Sequence, residues 1–252
     1  MNLSSRFLPS SALLGTLFIA LSALPALATT YFGNGATGFG GPIGNGSLSV
    51  TSDGTNVNFS LTTGVSFSGN VLALYIDSVA GGVGNTSTFT DTGDNGRRAL
   101  SGLSDSGRTL AQFPAGFSAD FGITVEPGFS GLFNLSNTAN FGYLGSGGLS
   151  GSGTGPFTFA FPLSSLGLSP TDDFQFVGSL ISGSAYRSNE TFGTSTTSPG
   201  SQGDAPNAGF TGTTAFSTAY TFDPVPEPGS SVLLTITAAA FAGGARRRLR
   251  QS

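Results

Sequence analysis

The chain of 252 residues carries thirteen acidic and nine basic side chains, with no histidine and no cysteine. Any chemistry therefore falls to carboxylates, amides, hydroxyls, arginines and aromatic rings. The densest oxygen-rich group is Asp91-Thr92-Gly93-Asp94-Asn95-Gly96, which follows Asp77 at the end of an apolar run. Tight turns of this kind suit a hard cation, so Asp77, Asp91, Asp94 and Asn95 form a candidate Ca2+ site. The EF-hand pattern fails, because its third position is Gly93 and its twelfth is Gly102. The competing account is a solvated turn in which Asp and Asn serve backbone preferences and Arg97 and Arg98 pair with the same carboxylates. No other cofactor is expected.

Glycoside hydrolysis needs two carboxylates facing each other across a bond. Glu126 precedes Pro127-Gly128 and reads as a turn, Glu190 sits in the loop-like Arg187-Ser188-Asn189-Glu190, and Asp172-Asp173 precedes a strand. None has the pattern of a carboxylate held in a cleft, and the chain is expected not to be an enzyme. Sugar binding asks for aromatic platforms ringed by amides, carboxylates and arginine. The aromatic candidates are Tyr75, Tyr143, Tyr186 and Tyr220, and Tyr186, Arg187, Asn189 and Glu190 share one predicted loop as a candidate glycan site. Trp, a frequent sugar platform, is absent, and most of the 23 phenylalanines are expected in the core.

The missing residue types exclude disulfide scaffolds, thiol nucleophiles, Cys/His zinc sites and every Ser-His-Asp arrangement. An acidic pI of about 4.5 repels phosphate, so nucleic acid is not an expected partner. Gly and Pro together number 53 of 252, about 21%, below the roughly 25–30% of low-complexity chains, which argues for a folded body.

That body must come from strands. Val57, Phe59 and Leu61 alternate with Asn56, Asn58 and Ser60, the pattern of a strand with one wet face. Phe157, Phe159 and Phe161 repeat it, as do Phe121, Ile123 and Val125, and then Phe216, Tyr220 and Phe222. Val71 to Ile76 is continuously apolar and predicts a central strand buried on both sides, with Phe174 to Ile181 as a second candidate. No sustained helical stripe occurs between the termini; the best helical turn is Ser164-Ser165-Leu166, ended by Gly167. About ten short strands joined by Gly-rich turns predict an all-β domain, an antiparallel β-sandwich or jelly roll. Residues 29–45 and 193–212 read as the loosest stretches, linker or long loop.

The ends have a different composition. Residues 1–28 read as a signal peptide: Arg6, an apolar run from Ser11 to Leu21, then Ala26-Leu27-Ala28 before Thr29. This predicts an N-terminal signal helix and export. Residues 225–252 begin Val225-Pro226-Glu227-Pro228-Gly229, continue through the apolar Ser231 to Gly244, and close with Arg246, Arg247, Arg248 and Arg250. The apolar stretch is shorter than the ~20 residues of a stable transmembrane helix, so it suits a transient stop in the inner membrane, with the arginines on the cytoplasmic side.

This tripartite ending, paired with the leader, resembles the PEP-CTERM sorting signal of Gram-negative bacteria. The resemblance covers Val225 to Arg250. It implies a transient partner, a membrane-embedded exosortase, for which Pro226, Glu227, Pro228, Arg246, Arg247 and Arg248 are recognition residues. It further implies delivery to the cell surface or extracellular matrix. Leu72 to Phe133 resembles an uncharacterised module of exported bacterial surface proteins that look like β-sandwiches. The matching text is Leu74-Tyr75-Ile76-Asp77-Ser78, Gly81-Gly82, Asp94-Asn95-Gly96-Arg97-Arg98 and Gly116-Phe117-Ser118-Ala119-Asp120, with Ser188-Asn189-Glu190 further on.

Between the ends, residues 29–225 hold four arginines against twelve acids, a net charge of −8, where the whole chain has −4. The sequence thus predicts a signal peptide (1–28), an acidic β-sandwich domain (29–224) and a sorting tail (225–252). The expected role is structural or adhesive within an exopolysaccharide or biofilm matrix. Extracellular polysaccharide is then a candidate partner, and a lectin-like module is the alternative; a secreted hydrolase is the least favoured.

Overall fold

The computed structural model describes residues 28–66, 68–197 and 210–224. The segments expected to form a signal helix (1–28) and a sorting tail with a short hydrophobic helix (225–252) lie outside them, Ala28 excepted. The body is mostly β, in three sheets. In chain order the first strands are β1 (Thr29–Phe32), β2 (Ser47–Ser52), β3 (Asn56–Thr62) and β4 (Asn70–Asp77). A short helix α1 (Asn95–Ser101) precedes β5 (Leu103–Ser104), β6 (Gly107–Gln112), β7 (Phe121–Glu126), β8 (Phe129–Asn134) and β9 (Gly142–Ser146). Then follow β10 (Phe157–Pro162), β11 (Phe174–Ser182), β12 (Arg187–Phe192), β13 (Ser195–Thr197), β14 (Phe210–Phe216) and β15 (Tyr220–Phe222).

One sheet has the order β1-β2-β3-β10 and is antiparallel throughout. A larger one runs β12-β11-β4-β7-β8-β9, with β15 added beside β11. A third, β13-β14-β6-β5, contains a parallel pair, β14 with β6, inside an otherwise antiparallel body. Period-two alternation explains the first interface. Val57, Phe59 and Leu61 of β3 and Phe157, Phe159 and Phe161 of β10 face Leu72, Leu74 and Ile76 of β4 and Ile123 and Val125 of β7 in one core. Phe59 and Phe159, direct cross-strand partners, stack with ring centroids 5.0 Å apart. Each fully buried phenylalanine contributes on the order of 2–3 kcal/mol of transfer free energy.

The opposite face of the large sheet supplies a second core. Val71, Ala73 and Tyr75 of β4 and Val177 and Ile181 of β11 lie beneath Ala99 and Leu100 of α1 and Ala111 of β6. β4 is therefore covered on both faces, as its unbroken apolar run requires, and β11 shares that position. The turn at Leu163–Leu166 is a 3-10 helix ended by Gly167 at φ +69°, as its sequence predicts.

Two local expectations need correction. Residues 95–101 form a helix, although Asp91 to Gly96 reads as a tight turn and no helix is expected after it. Two helical turns are too short for an amphipathic stripe, but the caps are present: the Asp94 carboxylate accepts from the Arg97 N–H at 2.8 Å, and Gly102 closes the helix at φ +63°. Residues 29–45, read as linker or long loop, contain β1 and a tightly held segment. Isolated pairs also lace the two principal sheets at both edges: Gly33 bridges to Phe192, and Ser150 bridges to Thr158 after the chain leaves β9. Within the other loose stretch, β13 and the start of β14 are strands, with 198–209 outside the described residues. Among the described residues no helix is long and apolar enough to cross a membrane.

Candidate functional site

The predicted glycan cluster is not an open loop. Arg187, Asn189 and Glu190 lie on β12, and Tyr186, Arg187 and Glu190 are buried. The Glu190 carboxylate is a binding centre for the chain itself. Its Oε1 accepts from the N–H groups of Phe39 (2.6 Å) and Gly41 (3.2 Å), and its Oε2 from those of Ile43 (2.9 Å) and Gly44 (3.1 Å). Asn189 extends the grip: its Oδ1 accepts from the Gly38 N–H at 3.0 Å, and its carbonyl accepts from the Asn34 amide at 2.8 Å. The loop wraps so closely that a Cβ on Gly44 would lie 1.8 Å from the carbonyl oxygen of Ala36. Four aligned donors around a buried carboxylate supply the compensation that a desolvated charge needs.

Arg187 is committed as well. Its guanidinium donates to the Ser179 hydroxyl and to the Tyr75 hydroxyl at 3.2 Å, and lies 6.0 Å from the Tyr75 ring centroid. Tyr75 in turn donates to the Leu100 carbonyl at 2.7 Å, joining β12, β4 and α1. Tyr186 stacks on Phe39. The four residues are brought together, but they fix the fold, and three of them show no open surface to a sugar.

The candidate calcium residues are also engaged, and they divide into two places. Asp91 pairs with Arg97 Nε at 3.1 Å and accepts from the Phe141 N–H at 2.7 Å. Asp94 caps α1 and pairs with Arg97, while Asn95 accepts from Arg98. Arg97 also lies over the Phe133 ring, 4.9 Å from its centroid. Asp77 belongs to a separate brace, accepting from the Ser118 N–H at 2.8 Å beside Asp120, which accepts from Ser78 and Val79. Among the described residues no three metal-ligating side chains converge. The arginines take the role the calcium reading reserved for a cation.

Two carboxyls are held above their usual range. Burial raises Asp77, and the neighbouring Asp120 charge adds to it. Burial also raises Glu126, with Asp94 adding and an Asn95 hydrogen bond opposing. Asp53 moves the other way, to about 2, because the backbone N–H groups of Asn56 and Thr55 donate to it in the β2–β3 turn. Glu126, Glu190 and Asp172 do not form a facing pair: Glu190 is enclosed by the 39–44 segment, and Asp172 accepts from Ser169 in an exposed turn.

An open concavity lies elsewhere, on the outer face of the β1-β2-β3-β10 sheet. A shallow groove of about 530 Å3 is floored by Ser49, Thr51, Asn58, Ser60, Thr158 and Ala160, with Gly147 and Gly148 on one rim. None of its lining residues is charged. Register builds the floor: Thr30 pairs with Ser49, Ser49 with Ser60, Ser60 with Thr158, and Thr158 with Ser150. Five hydroxyl side chains thus form a row about 19 Å long at the usual spacing of about 4.8 Å between strands. The sequence showed the wet face of β3 but carried no signal for this register.

No family model, no curated protein and no solved structure matches this chain. Pro226, Glu227, Pro228, Arg246, Arg247 and Arg248, expected from the sequence to be sorting residues, lie outside the described residues.

Proposed function

We propose that the chain is an exported surface protein whose 225–252 tail is read by an exosortase, and whose β-sandwich body has a structural or adhesive role in the extracellular matrix. The tail engages the inner membrane transiently, and extracellular polysaccharide is the partner outside the cell. The observation that carries this reading is the succession, in the sequence, of Pro226-Glu227-Pro228, an apolar segment and arginines, paired with a leader-like segment at the other end. The body supports it in one respect. Two of its buried charged groups, Glu190 and Arg187, hold backbone and strands together, which suits a rigid display module.

The test is location. Cells of an exosortase-bearing host producing the full chain, or a chain lacking residues 226–252, are fractionated into inner membrane, outer surface and medium. The full chain is expected at the surface or in the matrix, and the truncated chain in a different fraction. Identical distributions would reject the sorting role.

A further inference from the structure

The geometry points to the outer face of the β1-β2-β3-β10 sheet as a binding surface for an uncharged, polyhydroxylated polymer, a neutral polysaccharide. This deepens the adhesive reading above and rests on it.

Four observations select this ligand class. The groove is concave, at about 530 Å3, and uncharged throughout its lining, so a charged ligand would lose hydration there without an opposite charge in return. It lacks the large exposed apolar centre of a protein–protein interface: Phe59 and Phe159 also line the groove but are buried in the core, and the outward residues of β2, β3 and β10 are Ser49, Thr51, Asn58, Ser60, Thr158 and Ala160. Hydroxyls both donate and accept, which matches the mixed hydrogen bonding of sugar hydroxyls. Ser60, at the centre of the row, has no side-chain hydrogen bond among the described residues, while its neighbours are steadied by Thr30–Ser49 (2.8 Å) and Ser150–Thr158 (2.7 Å) contacts. Asn58 is likewise held, donating to Asp53 at 3.2 Å.

The fourth observation is Phe32. It is 67% exposed and lies on the same face, in the adjoining row with Ser47 and Thr62. An exposed ring beside a field of hydroxyls offers the apolar side of a pyranose a stacking surface while the row takes its hydroxyls. Each contact exchanges with water and is weak alone. A repeating ligand turns such contacts into useful retention.

Affinity electrophoresis of the purified full chain tests this. Native gels contain dextran, galactomannan, alginate or no polymer, and every mobility is normalised to the polymer-free gel. The expected result is retardation by at least one neutral polymer. Ser60→Arg combined with Thr158→Arg should weaken it at least tenfold at an unchanged melting midpoint, and Phe32→Ala several-fold, while Tyr143→Ala on β9 has no effect. Unretarded wild type in both neutral gels overturns the proposal, as does retardation by alginate alone. Undiminished retardation of both the double-arginine and the Phe32→Ala variants overturns it too, with polysaccharide binding then located elsewhere and the adhesive reading intact. A concentration-dependent dimer abolished by the double variant, without polymer retention, would assign the face to self-association instead. If the double variant loses its fold, Phe32→Ala alone decides. Failure of the sorting role is separate, since it is read from cell fractions and not from gels.

Discussion

Tyr31 and Tyr220 clasp each other's strands: the Tyr31 hydroxyl donates to the Thr221 carbonyl at 2.6 Å, and the Tyr220 hydroxyl donates to the Phe32 carbonyl at 2.7 Å. Their rings lie 4.9 Å apart. The clasp joins the first described strand to the last, 188 to 190 residues away in sequence. The first and last described strands therefore lie side by side.

Removing the Tyr31 hydroxyl should cost more than removing that of Tyr220, because the first bond is partly buried and the second exposed. Tyr31→Phe is expected to lower stability by about 1 kcal/mol and Tyr220→Phe by about half that. The two sites touch, so the double variant should depart from the sum. Urea denaturation of all four proteins completes the cycle, and equal single losses would contradict the burial argument.

Glu190→Ala should be among the most damaging single changes, at about 3–5 kcal/mol, because four N–H donors lose one acceptor group together. Glu190→Gln keeps one oxygen but turns a donor toward donors, so it should cost less and still be clearly destabilising. Hydrogen exchange should show lost protection confined to residues 39–44 in the milder variant. Unchanged protection there would remove Glu190 as the clamp.

Calcium should not stabilise the body, since Arg97 occupies Asp91 and Asp94. The melting midpoint is expected to be the same in millimolar Ca2+ and in chelator. A rise on adding Ca2+ that vanishes in Asp91→Ala plus Asp94→Ala would reinstate the metal site. Arg97→Ala frees both carboxylates and is the variant in which a response to calcium is expected.

The shifted carboxyls have opposite pH signatures. Asp77 and Glu126 have folded pKa values above their unfolded ones, so the fold favours their protonated forms. Their favourable contribution is complete below the unfolded value and is lost as pH rises through the folded value. Asp77→Asn should then gain stability relative to wild type as pH rises from about 4 toward neutrality. Asp53, at about 2 in the fold against 3.8 ordinarily, contributes above the unfolded value and loses that contribution as pH falls between them. Carboxyl titration by NMR reads each group directly. A midpoint for Asp77 below the normal range would reverse the first expectation.

Much of the architecture was legible because alternation and continuous runs are local properties. The Val57-Phe59-Leu61 strand, the doubly buried Val71–Ile76 strand and the turn closed by Gly167 all follow from burial of neighbouring side chains. Even the helix at 95–101 had its caps in the sequence, although two turns gave no periodic signal. The candidate sites were less legible. Arg187, Asn189 and Glu190 have the composition of a sugar site, and nothing local says that their partners lie about 150 residues upstream, or across the sheet at Tyr75.

The sequence by itself determined the strongly patterned strands, β3, β4, β7 and β10 among them, and which residues carry the wet face of β3. Those outcomes depend on side chains close in the chain. Tertiary structure decided whether each polar residue faces water or backbone, because that depends on register between distant strands. It enclosed Glu190 within the 39–44 segment, handed Asp91 and Asp94 to Arg97, and aligned Thr30, Ser49, Ser60, Thr158 and Ser150 into one row. A shift of one residue in any of those pairings would turn the hydroxyls inward and the phenylalanines out, and burying the phenylalanine core is what forbids it.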